Sequence, residues 1–293
     1  MDVSTAFLNG SLFEDIYMQQ PHGFRYGDVS SVCNLEKSLY GLKQAPRIWY
    51  ALLNKFLVSI EFCRCKKEYC LYRQKWEVNG VTHIVLICVY VDDITIAASS
   101  MILMQKVKTQ LASRFTMKDL GDIHYLLKME IKRDRTNKIL SMSQHKYIMD
   151  LLQKFEMTEC SSEPTPQAKS VVLGSLVYLV RGTRPDIAKA VRELSKFLSC
   201  YNKSHYKAAQ RVLKYLKGTS TYGLIFDGKS KEVIYELYTD ASFANANENR
   251  KSVTGYFKAK YCEPPIASSE KIKESEWLWV LLEELGFKQT QPI

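Results

Sequence analysis

The sequence feature that most constrains the fold is an apolar ribbon interrupted by two adjacent acids. Residues 84–98 read I-V-L-I-C-V-Y-V-D-D-I-T-I-A-A. The run is rich in β-branched and aliphatic residues, and an alternating pattern resumes after Asp92 and Asp93. This pattern predicts a strand, a tight turn and a second strand.

Two carboxylates at the tip of so apolar a ribbon have two interpretations. Aspartate favours exposed turns, so both side chains can simply face water. Alternatively, the two side chains share divalent metal ions, which would convert their mutual repulsion into a ligand set. The hairpin alone does not decide between these interpretations.

Composition sets the class of protein. The chain has 293 residues, of which 46% are hydrophobic, so it is long and apolar enough for two or three globular domains. A formal charge of +10 favours a polyanionic partner. No apolar run approaches membrane-spanning length and the first residues lack signal-peptide character, so we expect an intracellular protein, cytoplasmic or nuclear, with no membrane partner. The eight cysteines do not have zinc-site spacing, and no zinc is expected.

Hydrophobic periodicity predicts an α+β arrangement. Helical spacing occurs at residues 47–61, 103–111 and 147–155, and strand patterns occur at 129–131 and 139–141. Trp49 and Tyr50 flank the apolar face of the first helix and are assigned to packing. Helices interleaved with antiparallel strands indicate a domain that ends near residue 157. The following segment, rich in Ser and Pro, is predicted to be a linker. In the last part of the chain, the sequence predicts a strand at residues 233–238, just before Asp240, and a helix from about Lys273 to Leu285 with Gly286 at its C-cap.

Two helices beyond the linker carry most of the net charge. Thr183-Arg184-Pro185-Asp186 resembles a capping box that opens a helix to about residue 198, and a second helix covers about 204–216. The segment from Arg181 to Lys217, both included, contains ten basic and two acidic residues. A solvated helix face and a surface that follows nucleic-acid phosphates both fit this pattern. The candidate phosphate contacts are Lys189, Arg192, Lys196, Lys203, Lys207, Arg211, Lys214 and Lys217.

Three separated blocks resemble the successive motifs of the reverse transcriptase of copia-type long-terminal-repeat retrotransposons. They are MDVSTAFLNG at 1–10, LYGLKQAPR at 39–47 and YVDD at 90–93. The resemblance continues at residues 118–121, 182–187, 213–219 and 238–241, and therefore covers nearly the whole chain.

The resemblance implies an RNA-directed DNA polymerase that uses an RNA template, a DNA primer and deoxynucleoside triphosphates. Its catalytic carboxylates and ligands for two Mg²⁺ ions would be Asp2, Asp92 and Asp93. Phe7 would pack against the sugar of the incoming nucleotide and exclude a 2′-hydroxyl. The remaining nucleotide- and template-binding positions would be Tyr40, Gly41, Gln44, Pro46, Arg47, Tyr90 and Val91.

The same resemblance implies a domain order. Residues 1–158 would form the polymerase palm, with an antiparallel sheet, packed helices and no fingers segment before the first motif. Residues 159–173 would be a linker, 174–228 the thumb or connection helices, and 229–293 a degenerate ribonuclease H-like αβ segment. Asp240 matches the first ribonuclease H metal ligand, and the other acidic ligands are missing. Lys128 stands where the family usually has Gly.

We therefore expect a copia-type reverse transcriptase fragment that performs two-metal nucleotidyl transfer by descent and is impaired as an isolated chain. Two alternatives remain open. The chain can be a non-catalytic nucleic-acid-binding remnant that retains its basic helix pair. It can also be the product of a decayed genomic copy, which would not fold cooperatively.

Overall fold

The computed structural model describes residues 1–28, 30–160, 173–197, 202–229, 237–242, 253–258 and 269–286. Most of the predicted linker at 159–173, and the strand start predicted at Val233, lie outside these residues. The chain forms two compact units. The first comprises Met1–Gly121 with Val233–Ile293, and the second comprises Asp122–Glu232.

Strands and helices alternate along the described chain, as the periodicity predicts, and all strand pairs are antiparallel. The strands are β1 Asp2–Val3, β2 Tyr17–Gln19, β3 Val32–Asn34, β4 Cys63–Arg64, β5 Leu71–Val78, β6 Val81–Tyr90, β7 Asp93–Ala98, β8 Met117–Lys118, β9 Tyr125–Leu126, β10 Met129–Asp134, β11 Ile139–Ser143, β12 Gly223–Asp227, β13 Leu237–Ser242 and β14 Val253–Lys258. The α-helices are α1 Ala45–Ser59, α2 Met101–Arg114, α3 His145–Lys154, α4 Leu173–Gly182, α5 Ala188–Ser195, α6 Lys203–Gly218 and α7 Ser269–Glu284.

A six-stranded sheet with the order β4-β5-β6-β7-β1-β8 dominates the first unit. The β5–β6 hairpin turns at Asn79 and Gly80, whose φ angles of 50° and 74° are those of a two-residue turn matched to strand twist. The β6–β7 hairpin pairs Tyr90 with Asp93. This confirms the strand-turn-strand predicted for residues 84–98.

One face of this sheet is buried and the other is open. Val85, Ile87, Val89 and Ile94 point to the buried face, and each is at most 8% exposed. They pack in one apolar cluster with side chains of α1 and α2. Because successive strand residues alternate between faces, Tyr90 and Asp93 lie on the open face.

Helix α1 corrects one detail of the sequence reading. Trp49 was placed beside the apolar face, yet it lies inside the core with 3% exposure, together with Leu53 and Leu57. Pro46 occupies the first turn of the helix, where its missing N–H leaves no intrahelical bond unmade. Helix α1 is therefore fastened to the sheet by an indole ring as well as by aliphatic side chains.

The second unit combines a four-stranded sheet, β12-β11-β10-β9, with helices α3 to α6. The strand pair and the helix predicted near residues 129–155 are confirmed. Residues 122–158 form this unit together with residues of the segment 174–228, because β12 pairs with β11. The boundaries of 1–158, 159–173, 174–228 and 229–293 stay predictions of the sequence.

The capping box predicted at residues 183–186 is wrong. Thr183 bonds to Gln144, and the fully buried Arg184 guanidinium takes Asp186 as its partner at 2.7 Å. The segment Pro185–Ile187 is a 3-10 turn that leads into α5. The buried arginine also donates to Thr219 at the end of α6, so the ion pair ties two helices together.

A two-residue turn between β9 and β10 places Leu127 and Lys128 in the left-handed region, with φ of 47° and 58°. The hydroxyl of Tyr178 donates to the carbonyl of Leu127. The Lys128 ammonium lies 5.3 Å from the ring centroid of Tyr147. Side chains of α3 and α4 therefore hold a turn whose backbone favours glycine.

The C-terminal helix α7 confirms the helix predicted to end before Gly286. Within the first unit, its Trp277 indole donates to the carbonyl of Lys67 at 2.8 Å, and Glu284 accepts from the Lys66 amide at 3.0 Å. Among the helices described, none combines the length and apolar character needed to cross a membrane.

Candidate functional site

Strand β1 brings the first acid to the hairpin. It lies between β7 and β8, and its register sets Asp2 directly opposite Asp93 and Lys118. Residues directly opposite each other in an antiparallel pair project from the same face. Asp2 and Asp93 therefore lie side by side on the open face, while Val3 projects into the core.

The backbone around these acids is tightly anchored. The Ile94 amide donates to the carbonyl of Met1 at 2.8 Å, and the Val3 amide donates to the carbonyl of Asp92 at 3.0 Å. Asp92 occupies the turn between β6 and β7. Three carboxylate-bearing residues are thus fixed within one short stretch of the strand ladder.

The electrostatics of Asp93 reflect this crowding. Burial, followed by the charges of Asp92 and Asp2, raises the pKa of Asp93, while the amino terminus acts in the opposite sense. Like charges that raise a carboxyl pKa make a set of oxygen donors suited to a hard divalent cation. As placed, however, no group of three His, Cys, Asp or Glu side chains in the described ranges is close enough to hold a metal ion.

An aromatic pair borders the carboxylates. Phe7 belongs to the 3-10 helix Ala6–Asn9, and its ring centroid lies 4.5 Å from that of Tyr40. Desolvation, the charges of Asp92 and Asp2 and hydrogen bonding with Asp92 raise the pKa of Tyr40, against a backbone hydrogen bond from Ala6. Phe7 is only 9% exposed and Tyr40 is 54% exposed, so Tyr40 presents most of the accessible aromatic surface.

The other residues that the sequence assigned to nucleotide or template lie near the start of α1 and on the hairpin. Gly41 has φ of 101°, a backbone conformation that would be strained for a residue with a side chain. Gln44 is the half-buried residue that precedes α1, and Pro46 and Arg47 are exposed in its first turn. Tyr90 is 57% exposed opposite Asp93, and Val91 is 39% exposed in the turn.

Trp49 is the residue that sequence reasoning missed. Its indole N–H donates to the carbonyl of Val91 at 2.7 Å, so the helix core reaches the turn that carries Asp92. The available signal was chemical, because a buried indole needs a hydrogen-bond acceptor. Periodicity could not identify the acceptor, which lies 42 residues further along the chain.

The basic residues belong to the second unit, and they differ in exposure and in their contacts. Lys189, Arg192, Lys196, Lys203 and Lys207 are exposed, whereas Arg211, Lys214 and Lys217 are half-buried. Arg192 and Lys196 both pair with Glu193, at 3.5 Å and 2.8 Å. Lys217 donates to the carbonyl of Cys160 at 2.7 Å. Some of the candidate phosphate contacts are therefore engaged in contacts within the protein.

Asp240 lies in β13 opposite Gly255 of β14. Its backbone place in a strand agrees with the strand character read from the sequence just before it. Of the rest of the predicted ribonuclease H-like segment, β14 and α7 are described, and residues 230–236, 243–252, 259–268 and 287–293 lie outside the described ranges.

Comparison with known proteins identifies the family. The reverse transcriptase (RNA-dependent DNA polymerase) family matches residues 1–169. The chain is 37% identical, over 99% of its length, to the retrovirus-related Pol polyprotein from transposon TNT 1-94 of Nicotiana tabacum, of which it covers 25%. It is 36% identical to the Pol polyprotein from transposon RE1 of Arabidopsis thaliana, of which it covers 22%.

A yeast relative has a similar extent. The putative transposon Ty5-1 protein YCL074W of Saccharomyces cerevisiae is 33% identical, and the match covers 93% of each chain. The chain spans about a quarter of the length of the plant relatives. The alignment with the tobacco protein runs over 335 positions, more than the 293 residues present here, so that relative has positions with no counterpart in this chain. The matched residues include all three site acids, and the chain belongs to the reverse transcriptase family, among the copia-type retrotransposon Pol polyproteins.

Proposed function

We propose that this chain carries the polymerase site of a reverse transcriptase and catalyses RNA-templated DNA synthesis. The observation that carries the proposal is the register of β1 against β7, which sets Asp2 opposite Asp93 with Asp92 in the adjoining turn. Two like charges directly opposite each other destabilise a strand pair, so the arrangement is unfavourable for an ordinary surface turn. Membership of a family that polymerises nucleotides explains why these acids are placed together.

Two magnesium ions are the proposed cofactors, held by Asp2, Asp92 and Asp93. Bound there, they would supply charge neutralisation for the phosphates and lower the pKa of the primer hydroxyl. The donor set fits this role because all three side chains offer oxygen, and a cation would offset the burial and the like-charge repulsion that raise the pKa of Asp93.

The aromatic pair is proposed to line the nucleotide pocket. Tyr40 would contact the incoming nucleotide, and the ring of Phe7 behind it would fix the position of Tyr40 and limit the space beside the sugar. Gly41 would allow the backbone to approach the nucleotide, while Gln44, Pro46 and Arg47 would shape the template side. Tyr90 and Val91 would face the same pocket from the hairpin.

In this proposal the sheet of the first unit is the palm, and α5 and α6 belong to a thumb or connection region that follows template-primer phosphates. Lys189, Lys203 and Lys207 are exposed and form no ion pair with any residue that the structure describes, so they are the strongest candidates for phosphate contacts. The ribonuclease H-like character of residues 229–293 and an intracellular location complete the proposal.

Primer extension on an RNA template tests the proposal. Wild-type protein is expected to add nucleotides in Mg²⁺, and Asp92→Asn should abolish addition because it removes a ligand charge while preserving shape. The matched control is Asp122→Asn, which changes an exposed aspartate of the second unit that pairs with Arg135. Equal extension by wild type and Asp92→Asn would refute the assignment. The reduced activity predicted from the sequence for the isolated chain is measured in the same assay.

Nucleic-acid binding without catalysis is the second candidate, and the exposed lysines of α5 and α6 favour it. Changing Lys189, Lys203 and Lys207 to Gln should weaken binding of an RNA–DNA duplex and flatten its salt dependence by about 0.7–0.9 in log–log slope per lost contact. Changing Lys132 and Lys138, exposed on the β10–β11 hairpin, is the control. Binding that is unaffected by the triple change would exclude this surface.

A further inference from the structure

We infer that Trp49 is a positioning residue for the catalytic turn: its indole N–H fixes the backbone that carries Asp92. The inference rests on the proposed polymerase function and extends it to a residue in the protein core. Trp49 does not contact substrate in this scheme. It acts through the carbonyl of Val91, to which its Nε1 donates at 2.7 Å.

The turn needs an external restraint because its conformation is unfavourable. Val91 has φ of 57°, and the left-handed region is a genuine outlier for a β-branched residue. Such a backbone persists only when surrounding contacts over-determine it. Val91 is 39% exposed, so packing around its own side chain does not supply that restraint.

Two hydrogen bonds supply it, one to each carbonyl of the turn. The indole of Trp49 holds the carbonyl of Val91, and the Val3 amide holds the carbonyl of Asp92 at 3.0 Å. The first bond comes from helix α1 and the second from strand β1. With both carbonyls held, the orientation of the Asp92 Cα–Cβ bond is determined relative to Asp2 on β1.

Trp49 is itself rigid. It is 3% exposed, and its ring meets that of Phe115 edge-on at a centroid distance of 5.2 Å. Helix α1, which carries Trp49, begins four residues after Gly41, so the helix that follows the proposed nucleotide loop also restrains the proposed metal turn. One rigid element therefore sets the spacing between the two halves of the site.

Trp49→Phe tests the inference, since phenylalanine keeps an aromatic ring in the core and removes the N–H donor. Trp76→Phe is the matched control, because Trp76 packs against the same core and stacks on His83 near the far end of the β5–β6 hairpin. Hydrogen exchange of a peptide covering residues 90–94 is the first readout. Loss of one hydrogen bond should accelerate exchange there roughly 3- to 10-fold in Trp49→Phe and leave it unchanged in Trp76→Phe.

Primer extension provides the second readout. Trp49→Phe should raise the Mg²⁺ concentration for half-maximal extension severalfold and lower kcat, with KM for template-primer unchanged. In the exchange experiment, adding Val91→Gly should restore part of the protection at residues 90–94, because glycine adopts the left-handed turn without help. A purely structural role would instead lower stability in both tryptophan variants and leave the Mg²⁺ dependence of each at the wild-type value.

The two readouts separate failure of this inference from failure of the proposed function. Wild-type protein that extends no primer would refute the polymerase proposal, while the exchange experiment would still decide whether Trp49 holds the turn. Unchanged exchange at residues 90–94 together with unchanged Mg²⁺ dependence in Trp49→Phe would overturn the inference.

Discussion

Neutralising one acid of the site should stabilise the fold while removing function. Asp93 lies directly opposite Asp2 and next to Asp92, and burial together with these two charges raises the pKa of Asp93. Asp93→Asn preserves the size of the side chain and removes its charge. We therefore expect the variant to unfold at a higher denaturant concentration than wild type at pH 7.

The size of the effect follows from the register. A like-charge pair directly opposite in a sheet costs about 0.2–1 kcal/mol. The neighbouring Asp92 adds a second repulsion, so a gain of about 1 kcal/mol in the free energy of unfolding is expected at pH 7. Such a gain raises the urea midpoint by about 0.5 M. Because the pKa of Asp93 is raised on folding, wild-type stability falls as pH rises from the unfolded pKa through the folded one. The advantage of the variant should thus be complete at pH 7 and vanish near pH 3.

Urea unfolding at pH 7 and pH 3, with and without 10 mM Mg²⁺, is the assay. Magnesium should stabilise wild type and have no effect on Asp93→Asn if the acids bind it. Asp119→Asn is a control of opposite sign, since hydrogen bonding from Lys108 lowers the pKa of Asp119 and the variant should be less stable at pH 7. A destabilised Asp93→Asn at pH 7, or a gain that persists unchanged at pH 3, would refute the reasoning.

Three further substitutions test packing and backbone. Lys128→Gly should stabilise by about 0.5–1 kcal/mol in thermal unfolding, because relief of a left-handed backbone outweighs loss of an exposed cation–π contact; a loss of stability would contradict this. Gly10→Ala should cost about 1–3 kcal/mol, since its new Cβ would lie 2.4 Å from Ile48 Cγ2, and Ile48→Ala should recover part of the loss if that contact is the cause. Arg184→Met should cost about 1.5–3 kcal/mol in urea unfolding, because it removes the hydrogen bonds of a fully buried guanidinium to Thr219 and to Asp186, whose side chain is 33% exposed; a neutral effect would show that these bonds are dispensable.

Local patterns predicted most of the architecture. The hairpin at residues 84–98 was readable because alternation and a two-residue turn are encoded within fifteen neighbouring positions. Helices α1, α2 and α3 were readable from apolar spacing for the same reason. Alternation could not pair the short strand of Asp2 with the hairpin, and the place of Asp2 in the site came from the family resemblance.

Two predictions from local sequence patterns were wrong because tertiary contacts determine the partners of the residues concerned. The capping box at Thr183 failed because buried Arg184 competes for Asp186 and gains a charged partner, which a helix cap does not provide. The assignment of Trp49 to the flank of α1 failed because its acceptor, the Val91 carbonyl, belongs to another element. In both cases a buried polar group selected its partner through the fold rather than through sequence spacing.

The position of β1 between β7 and β8 also has a kinetic consequence. Its two residues pair with β7 and β8, about 90 and 115 positions further along the chain, so they gain their neighbours only after the β6–β7 hairpin and helix α2 exist. Contacts of such sequence separation form late, because loop closure must precede them. During synthesis at about 5–20 residues per second, Asp2 would wait roughly 5–25 seconds for both partner strands. Folding intermediates should therefore contain a complete hairpin and no assembled acid cluster.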